Sequence, residues 1–481
     1  MKLPQIIQGG MGVGISNWRL ANAVSRKGQL GVVSGTALDQ LLTRRLQDGD
    51  PDGHMRRGLD AFPMRAMAER IWDKYYIAGG KSERQAYAEL PQHLLDSPRE
   101  LIELLIVANF VEVFLAREGH QGPVGINYLE KIQIPHLPSM YGAMLAGVAF
   151  VLMGAGIPLK VPGALDALAA HEPANYPLHV TGAQPGDEFA VHFDPQAFLE
   201  APMAPLTRPA FLAIISSDVL ALTLTRKANG KVNGFIVEGP TAGGHNAPPR
   251  GKLQLNDVGE PVYGDRDRVD LDKLQALGLP FWLAGGYGTA NRVNEALSLG
   301  AAGVQVGTAF ALCAESGMRD DYRHTLLNSV AAGEGRVFTD PLASPTGFPF
   351  KVADVADSLS DPEIYAARPR ICDLGYLREP YRTDEGQVGW RCPAEPANVY
   401  ASKGGAIEDT AGRKCICNAL VATVGHPQIR AGKYLEHGII TSGDDLAGVR
   451  EFIPADGRDY TAADVIDRLL AGVSGLAGAP A

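Results

Sequence analysis

The sequence is poor in cysteine, with five residues in 481, and it has no long uninterrupted apolar run. Each shortage excludes something. So few thiols rule out a disulfide-stapled scaffold, and in an intracellular chain they are expected to be reduced. The stretch between Lys131 and Lys160 carries no charge, but prolines and glycines from Pro135 to Pro158 cut it repeatedly. It therefore predicts a helix from about Met140 and a strand over 150–153 rather than a membrane span. No block of lysines and arginines appears. A net charge of −10 with a pI near 5.6 leaves no electrostatic footprint for nucleic acid. The first residues hold no apolar secretory segment, which predicts a cytoplasmic protein.

What is present is a large apolar fraction, 46%, and 56 glycines, enough for a sizeable core punctuated by tight turns. Short β-branched and aromatic runs alternate with helical stretches, the rhythm of a parallel sheet. Strands are expected at 5–8, 30–34, 123–127, 150–153, 211–216, 235–237, 281–283 and 304–306. Eight such strands predict an α/β fold, a (β/α)8 TIM barrel. Ser16 or Asn17 is expected to cap the first helix, which runs to about Lys27. Residues 39–118 read as a helical insertion after strand 2, with helices over 65–76 and 99–117, and a hairpin is expected within 177–192 around the turn 184–187. The barrel is expected to span 1–345, followed by a cysteine-containing extension over 346–481 whose last ten residues, rich in alanine and glycine, should fray.

Residues 236–245, IVEGPTAGGH, form the most informative segment. A buried strand runs into paired glycines and leaves His245 at its carboxyl end, where a barrel of this kind keeps its chemistry. Histidine suits proton exchange near neutrality, so His245 is the candidate catalytic residue. Residues 281–288 and 303–310 then repeat a strand, glycine turn and helix start. Gly285, Gly286 and Gly307 leave backbone N–H groups open to an anion, and Thr308 adds a hydroxyl at a helix start; together they read as a phosphate cradle. Gly10-Met-Gly12-Val-Gly14 lacks the spacing of a dinucleotide fingerprint, which argues against a dinucleotide held after the first strand. Cys313, in an apolar run, reads as core packing.

These motifs resemble the flavin-dependent nitronate monooxygenases, formerly 2-nitropropane dioxygenases, and the related flavin-dependent enoyl-acyl-carrier-protein reductases. The likeness covers roughly 4–40 and 122–351 and rests on Gln8-Gly-Gly-Met-Gly12, Gly125-Ile-Asn127, the stretch from Glu238 to His245, Ala284-Gly-Gly286 and Gln305-Val-Gly-Thr308. It implies FMN over the barrel mouth, with Gly10, Met11 and Asn127 on the isoalloxazine side and Gly285, Gly286, Gly307 and Thr308 at the phosphate. It places Glu238, Gly243 and Gly244 in the cofactor site and His245 in substrate proton transfer or orientation. Glu238 could equally be a structural carboxylate bonding backbone amides. Where the family continues Gly-Gly-His with glycine, this chain has Asn246-Ala-Pro-Pro-Arg250, a stiffer loop.

The tail offers Cys372, Cys392, Cys415 and Cys417, the ligand number of a structural zinc or an iron–sulfur cluster, although no Cys-x-x-Cys pair is present. The alternative is buried, redox-inert thiols. The expected function is an FMN-dependent oxidoreductase that oxidises a small carbanionic, nitronate-like substrate with O2. An NAD(P)H-linked enoyl or quinone reductase and a flavin- or metal-binding scaffold without turnover are the alternatives. The expected partners are a small-molecule substrate with O2 or NAD(P)H; nucleic acid and membrane are not expected, and an oligomer is compatible with the sequence.

Overall fold

Each barrel strand buries both faces, which is why each reads as a short apolar run. In this computed structural model, which describes residues 3–455 and 458–473, the eight strands are β1 (Ile6–Gln8), β2 (Gly31–Ser34), β3 (Val124–Leu129), β4 (Phe150–Gly154), β5 (Ala210–Ile215), β6 (Gly234–Glu238), β7 (Phe281–Ala284) and β8 (Gly303–Val306). They form one parallel sheet in the order β1-β8-β7-β6-β5-β4-β3-β2. A parallel bridge between Ile7 and Leu30 joins its two edges, with Gln8 N donating to Leu30 O at 2.9 Å. The expected barrel is therefore the observed one.

Alternation along the strands divides the core in two. Ile7, Val32, Leu152, Leu212, Ile236 and Trp282 fill the barrel interior, while Ile6, Val33, Val151, Phe211, Phe235 and Leu283 turn outward into the larger core shared with the helices. Helix α1 (Trp18–Arg26) starts at Asn17, whose side chain accepts from Leu20 N at 2.9 Å. The insertion after β2 is helical, as expected: α2 (Leu38–Gln47), α3 (His54–Asp60), α4 (Arg65–Tyr75) and the long, mostly buried α5 (Arg99–Arg117).

Two details differ from the sequence reading. The helix expected from about Met140 begins earlier and spans His136–Leu145, because Pro138 falls in the first turn, where its missing N–H has no helical acceptor anyway. The hairpin pairs Ala174–Pro177 with Ala190–Phe193, starting at Ala174 rather than Pro177. Alternation decides this register: Ala174 and Tyr176 are buried while Asn175 and Pro177 are exposed. The expected fraying of the last ten residues lies, from residue 474 on, outside the described residues.

Beyond β8 the chain folds back on the barrel. A hairpin of Val337–Asp340 and Phe350–Ala353 leads into an irregular stretch that returns over the barrel mouth, and helix Ala462–Leu469 packs on α1. Asp39 ties three parts of the chain together. Its fully buried carboxylate meets His93 Nε2 at 3.0 Å and accepts from Tyr376 Oη at 2.5 Å, joining α2 to a later part of the insertion and to the extension. Burial alone would push this carboxyl up, but the hydrogen bonds and charge supplied by His93, with the Tyr376 hydroxyl, hold it below its ordinary value. Asp39→Ala is expected to cost about 3 kcal/mol or more, since it strands two buried polar partners. Urea unfolding followed by circular dichroism measures the loss.

Candidate active site

The carboxyl ends of the strands meet in one cavity of about 530 Å³, the position at which barrels of this type hold ligands. Its lining gathers His245 and every candidate cofactor-binding residue. Gly10 and Met11 come from the turn after β1, Asn127 from β3, and Glu238, Gly243, Gly244 and His245 from the end of β6 and its loop. Gly285 and Gly286 follow β7, and Gly307 and Thr308 follow β8. Gly10 lies directly against the Asn127 side chain.

The turn after β7 is built for an anion. Gly285 and Gly286 adopt φ of 87° and 76°, and a Cβ on Gly285 would sit 3.0 Å from Ala242 N and Thr241 Oγ1. Among the described residues, the amides of Gly285, Gly286, Tyr287 and Gly307 have no backbone or side-chain acceptor, so open donors line the wall. Thr308 Oγ1 accepts from Gly443 N at 3.0 Å, which leaves its proton free to donate. On the same strand as this cradle, Gln305 Oε1 is buried without a partner, an orphaned acceptor that suits a ring N–H. The residues present therefore fit a flavin mononucleotide: a cradle for phosphate, and amide groups from Asn127 and Gln305 for a polar ring.

Reading the sequence missed the part of the wall supplied by the extension. Tyr376, Leu377, Cys417, Thr441, Ser442 and Phe452 all line the cavity. Thr441 Oγ1 accepts from Gly244 N at 2.8 Å, and Asp444 N donates to Thr241 O at 3.0 Å, so the tail lies across the Gly-Gly-His loop. A Cβ on Gly243 would come 2.8 Å from Gly443 N: the approach of the tail, rather than of a ligand, accounts for this glycine. No periodicity or spacing in the sequence announces that contact.

His245 occupies the expected place, at the end of the loop after β6 and in the cavity wall. Its Nε2 lies 2.7 Å from Ser344 Oγ, and its ring packs edge-on against Phe350 at 4.8 Å. Burial, helped by the charge of Lys131, pushes its pKa down to about 4, so the imidazole is neutral at pH 7. Glu238 moves the other way, and burial pushes its pKa up to about 8. Its carboxyl has no hydrogen bond or ion pair among the described residues, so it is not the amide-bonding structural carboxylate considered as an alternative.

The four tail cysteines do come together. Cys392 and Cys415 are buried, with Cys372 and Cys417 packed on them. Yet among the described residues no group of three or more His, Cys, Asp or Glu side chains is placed to hold a metal ion, and the zinc or iron–sulfur expectation finds no support. The physical reason is the apolar setting. Burial pushes the Cys415 and Cys417 thiols up, and a hydrogen bond with Cys392 together with burial does the same to Cys372, so these groups pack as neutral thiols. Cys313 is core, as expected, and fully buried. Among the described residues no helix is long and apolar enough to cross a membrane.

Comparison with known proteins bears on the same part of the chain. Residues 210–335, which run from β5 past β8, match the family model "Nitronate monooxygenase". A nitronate monooxygenase of Pseudomonas aeruginosa is 35% identical over 118 residues, 24% of this chain and 31% of that protein. A (3aS,4S,5R,7aS)-5-hydroxy-7a-methyl-1-oxo-octahydro-1H-indene-4-carboxyl-CoA dehydrogenase of Rhodococcus jostii is 31% identical over 120 residues, 25% of this chain and 30% of that protein. The chain thus matches under a third of the length of these curated relatives. The solved nitroalkane oxidase of Streptomyces ansochromogenes aligns over 97% of this chain and 95% of its own at 14% identity, with a TM-score of 0.46. The resemblance to the nitronate monooxygenases read from the motifs stands, carried by the half of the barrel that holds the Gly-Gly-His loop and the glycine cradle.

The opposed shifts have a consequence for stability. The unfolded chain releases the Glu238 proton near 4.5, whereas the folded protein keeps it to about 8. The folded state therefore binds more protons across that window and loses stability as pH rises through it. Glu238→Gln is expected to raise the melting temperature at pH 8.5 relative to wild type and to change it much less at pH 5, as measured by calorimetry.

Proposed function

We propose that the chain is an FMN-dependent oxidoreductase of the nitronate monooxygenase type, which oxidises a small, stabilised carbanion with O2. The observation that carries this reading is the convergence of the unpartnered amides at 285–287 and 307, the Thr308 hydroxyl, the orphaned Gln305 acceptor and the Gly-Gly-His loop on one cavity. The family match over 210–335 supports it.

In this reading Gly285, Gly286, Gly307 and Thr308 hold the phosphate, and Gly10, Met11, Asn127 and Gln305 face the ring, with Glu238, Gly243 and Gly244 along the same wall. When bound, a flavin accepts two electrons from an electron-rich carbon and passes them to an acceptor. The protein's own work is to bind, orient and exclude water. The extension roofs the cavity, and Phe348, Phe350 and Phe452 line it with apolar surface, which strengthens polar contacts inside. His245, neutral and fixed through Ser344, offers one hydrogen-bonding nitrogen to an anionic substrate. A substrate that arrives already as a carbanion fits this site because the imidazole, depressed to about 4, is a weak base.

The second reading is an NAD(P)H-linked reductase of an enoyl or quinone acceptor. A carboxyl that stays protonated at neutral pH favours it, because reduction of an activated double bond ends in protonation of carbon. Anaerobic mixing decides between the two. Bleaching of the flavin by a nitronate but not by NADPH is the expected result; rapid bleaching by NADPH would assign the reductase, and oxidised flavin in both cases would leave a binding scaffold.

Cofactor identity and site geometry yield two further outcomes. Cofactor released by heat is expected to run as FMN on chromatography. Gly285→Ala is expected to lower FMN occupancy, since it places a Cβ at positive φ against Ala242 N, whereas His245→Asn should leave occupancy near wild type. Visible absorbance of the purified variants measures both.

A further inference from the structure

The ring of strands determines what lies opposite the cradle. In the order β1-β8-β7-β6-β5-β4-β3-β2, closed by the bridge between Ile7 and Leu30, β3 and β4 stand four places from β7 and β8, on the far side of the mouth. The lining there changes character. Leu129 and Ile132 come from the end of β3 and its loop, Ile157 from the turn after β4, and Ile214 and Leu220 from β5 and the helix that follows it. Among the described lining residues of this sector, only Asn127 and Ser216 have polar side chains. Glu130, in the same loop as Ile132, accepts from Gln133 and Tyr176 and does not line the cavity. Ala155 holds the turn after β4 at φ 56°, and Ile157, two residues on, is 54% exposed. A large aliphatic side chain that stays open at the rim, continuous with an apolar cavity wall, marks a surface that a ligand covers.

The extension joins this sector to the histidine. Phe350 packs edge-on against His245 at 4.8 Å. Phe348, two residues earlier, carries the Lys131 ammonium over its ring at 4.0 Å, which sets it against the loop after β3. Apolar surface thus runs from His245 past both rings toward Ile132 and Ile157. We propose that this surface is a subsite for an aliphatic chain, so that the substrate is a stabilised carbanion at the end of an alkyl chain of several carbons. This rests on reading the cavity as a site for a carbanion beside His245; the reacting end is small, and the chain extends it toward Ile157. The subsite makes and breaks no bond. It acts by removing chain surface from water, worth roughly fourfold in affinity for each buried CH2, and it sets which way the substrate lies, with its chain turned away from the cradle at β7 and β8.

The test uses the purified holoenzyme under anaerobic conditions with ethyl, butyl and hexyl nitronates, and follows flavin bleaching by stopped flow to obtain a dissociation constant and a limiting rate for each. The dissociation constant is expected to fall roughly fourfold per CH2, while the limiting rates stay within about tenfold of one another, since binding of the chain is shared by ground and transition states. A constant that is flat or rises with length would overturn the proposal. Ile157→Asn is expected to weaken hexyl nitronate about tenfold more than ethyl nitronate, and Ile157→Leu to keep the length dependence; equal loss at both lengths would also overturn it. A second readout needs no turnover. Octanoate, a planar anion like a nitronate but inert, is expected to bind the wild type about tenfold or more tighter than butyrate, with a negative heat-capacity change in calorimetric titration. Equal affinities, or binding of neither, would overturn the subsite. Failure of every nitronate to bleach the flavin would instead refute the underlying functional reading, and the octanoate titration then decides the subsite by itself.

Discussion

Everything in the cavity depends on one backbone crossing. Residues 441–444 pass over the loop 241–244 at distances that only glycine allows, with Asp444 N on Thr241 O, Gly244 N on Thr441 Oγ1, and Gly243 facing Gly443. The same segment reaches the cradle, where Gly443 N holds Thr308 Oγ1. The crossing therefore sets the orientation of the histidine loop and of the cradle's hydroxyl at once. Remove it, and the pairing of the eight barrel strands, in which this segment takes no part, would stay. What would be lost is the fixed relation between the two halves of the mouth.

Electrostatics follows from that roof. The extension packs across the loop after β6, and desolvation is the largest influence on both Glu238 and His245. The direction differs because the charged form of one is the anion and of the other the cation. Opposite protonation states at neutral pH are thus a consequence of shared burial, to which the charge of Lys131 adds at His245. Cys415 and Cys417 obey the same rule: burial pushes their thiols up, and a protonated thiol is a poor ligand.

The barrel was legible in the sequence because its strands are doubly buried and its turns are marked by glycine. Residues 236–245, 284–286 and 305–308 each pair an apolar run with the small residues that a ligand site requires, and the structure sets them around one cavity. The extension was not legible. Its contacts are made by irregular backbone and by single side chains such as Tyr376, Thr441 and Phe452, which follow no period. The early start of the helix at His136 and the register of the Ala174 hairpin were missed for a related reason: tertiary packing chose between local alternatives that the sequence left nearly equal. Glu238 was visible as a candidate, but its state depends on what surrounds it and not on its neighbours in sequence.

The crossing also fixes an order of assembly. One wall of the cavity is contributed by Gly10 and Met11 and another by residues from Thr441 to Phe452, and synthesis runs from the first wall toward the second. All eight strands therefore leave the ribosome before the segment that crosses their mouth. A ligand that needs both walls is held only once that segment has been made.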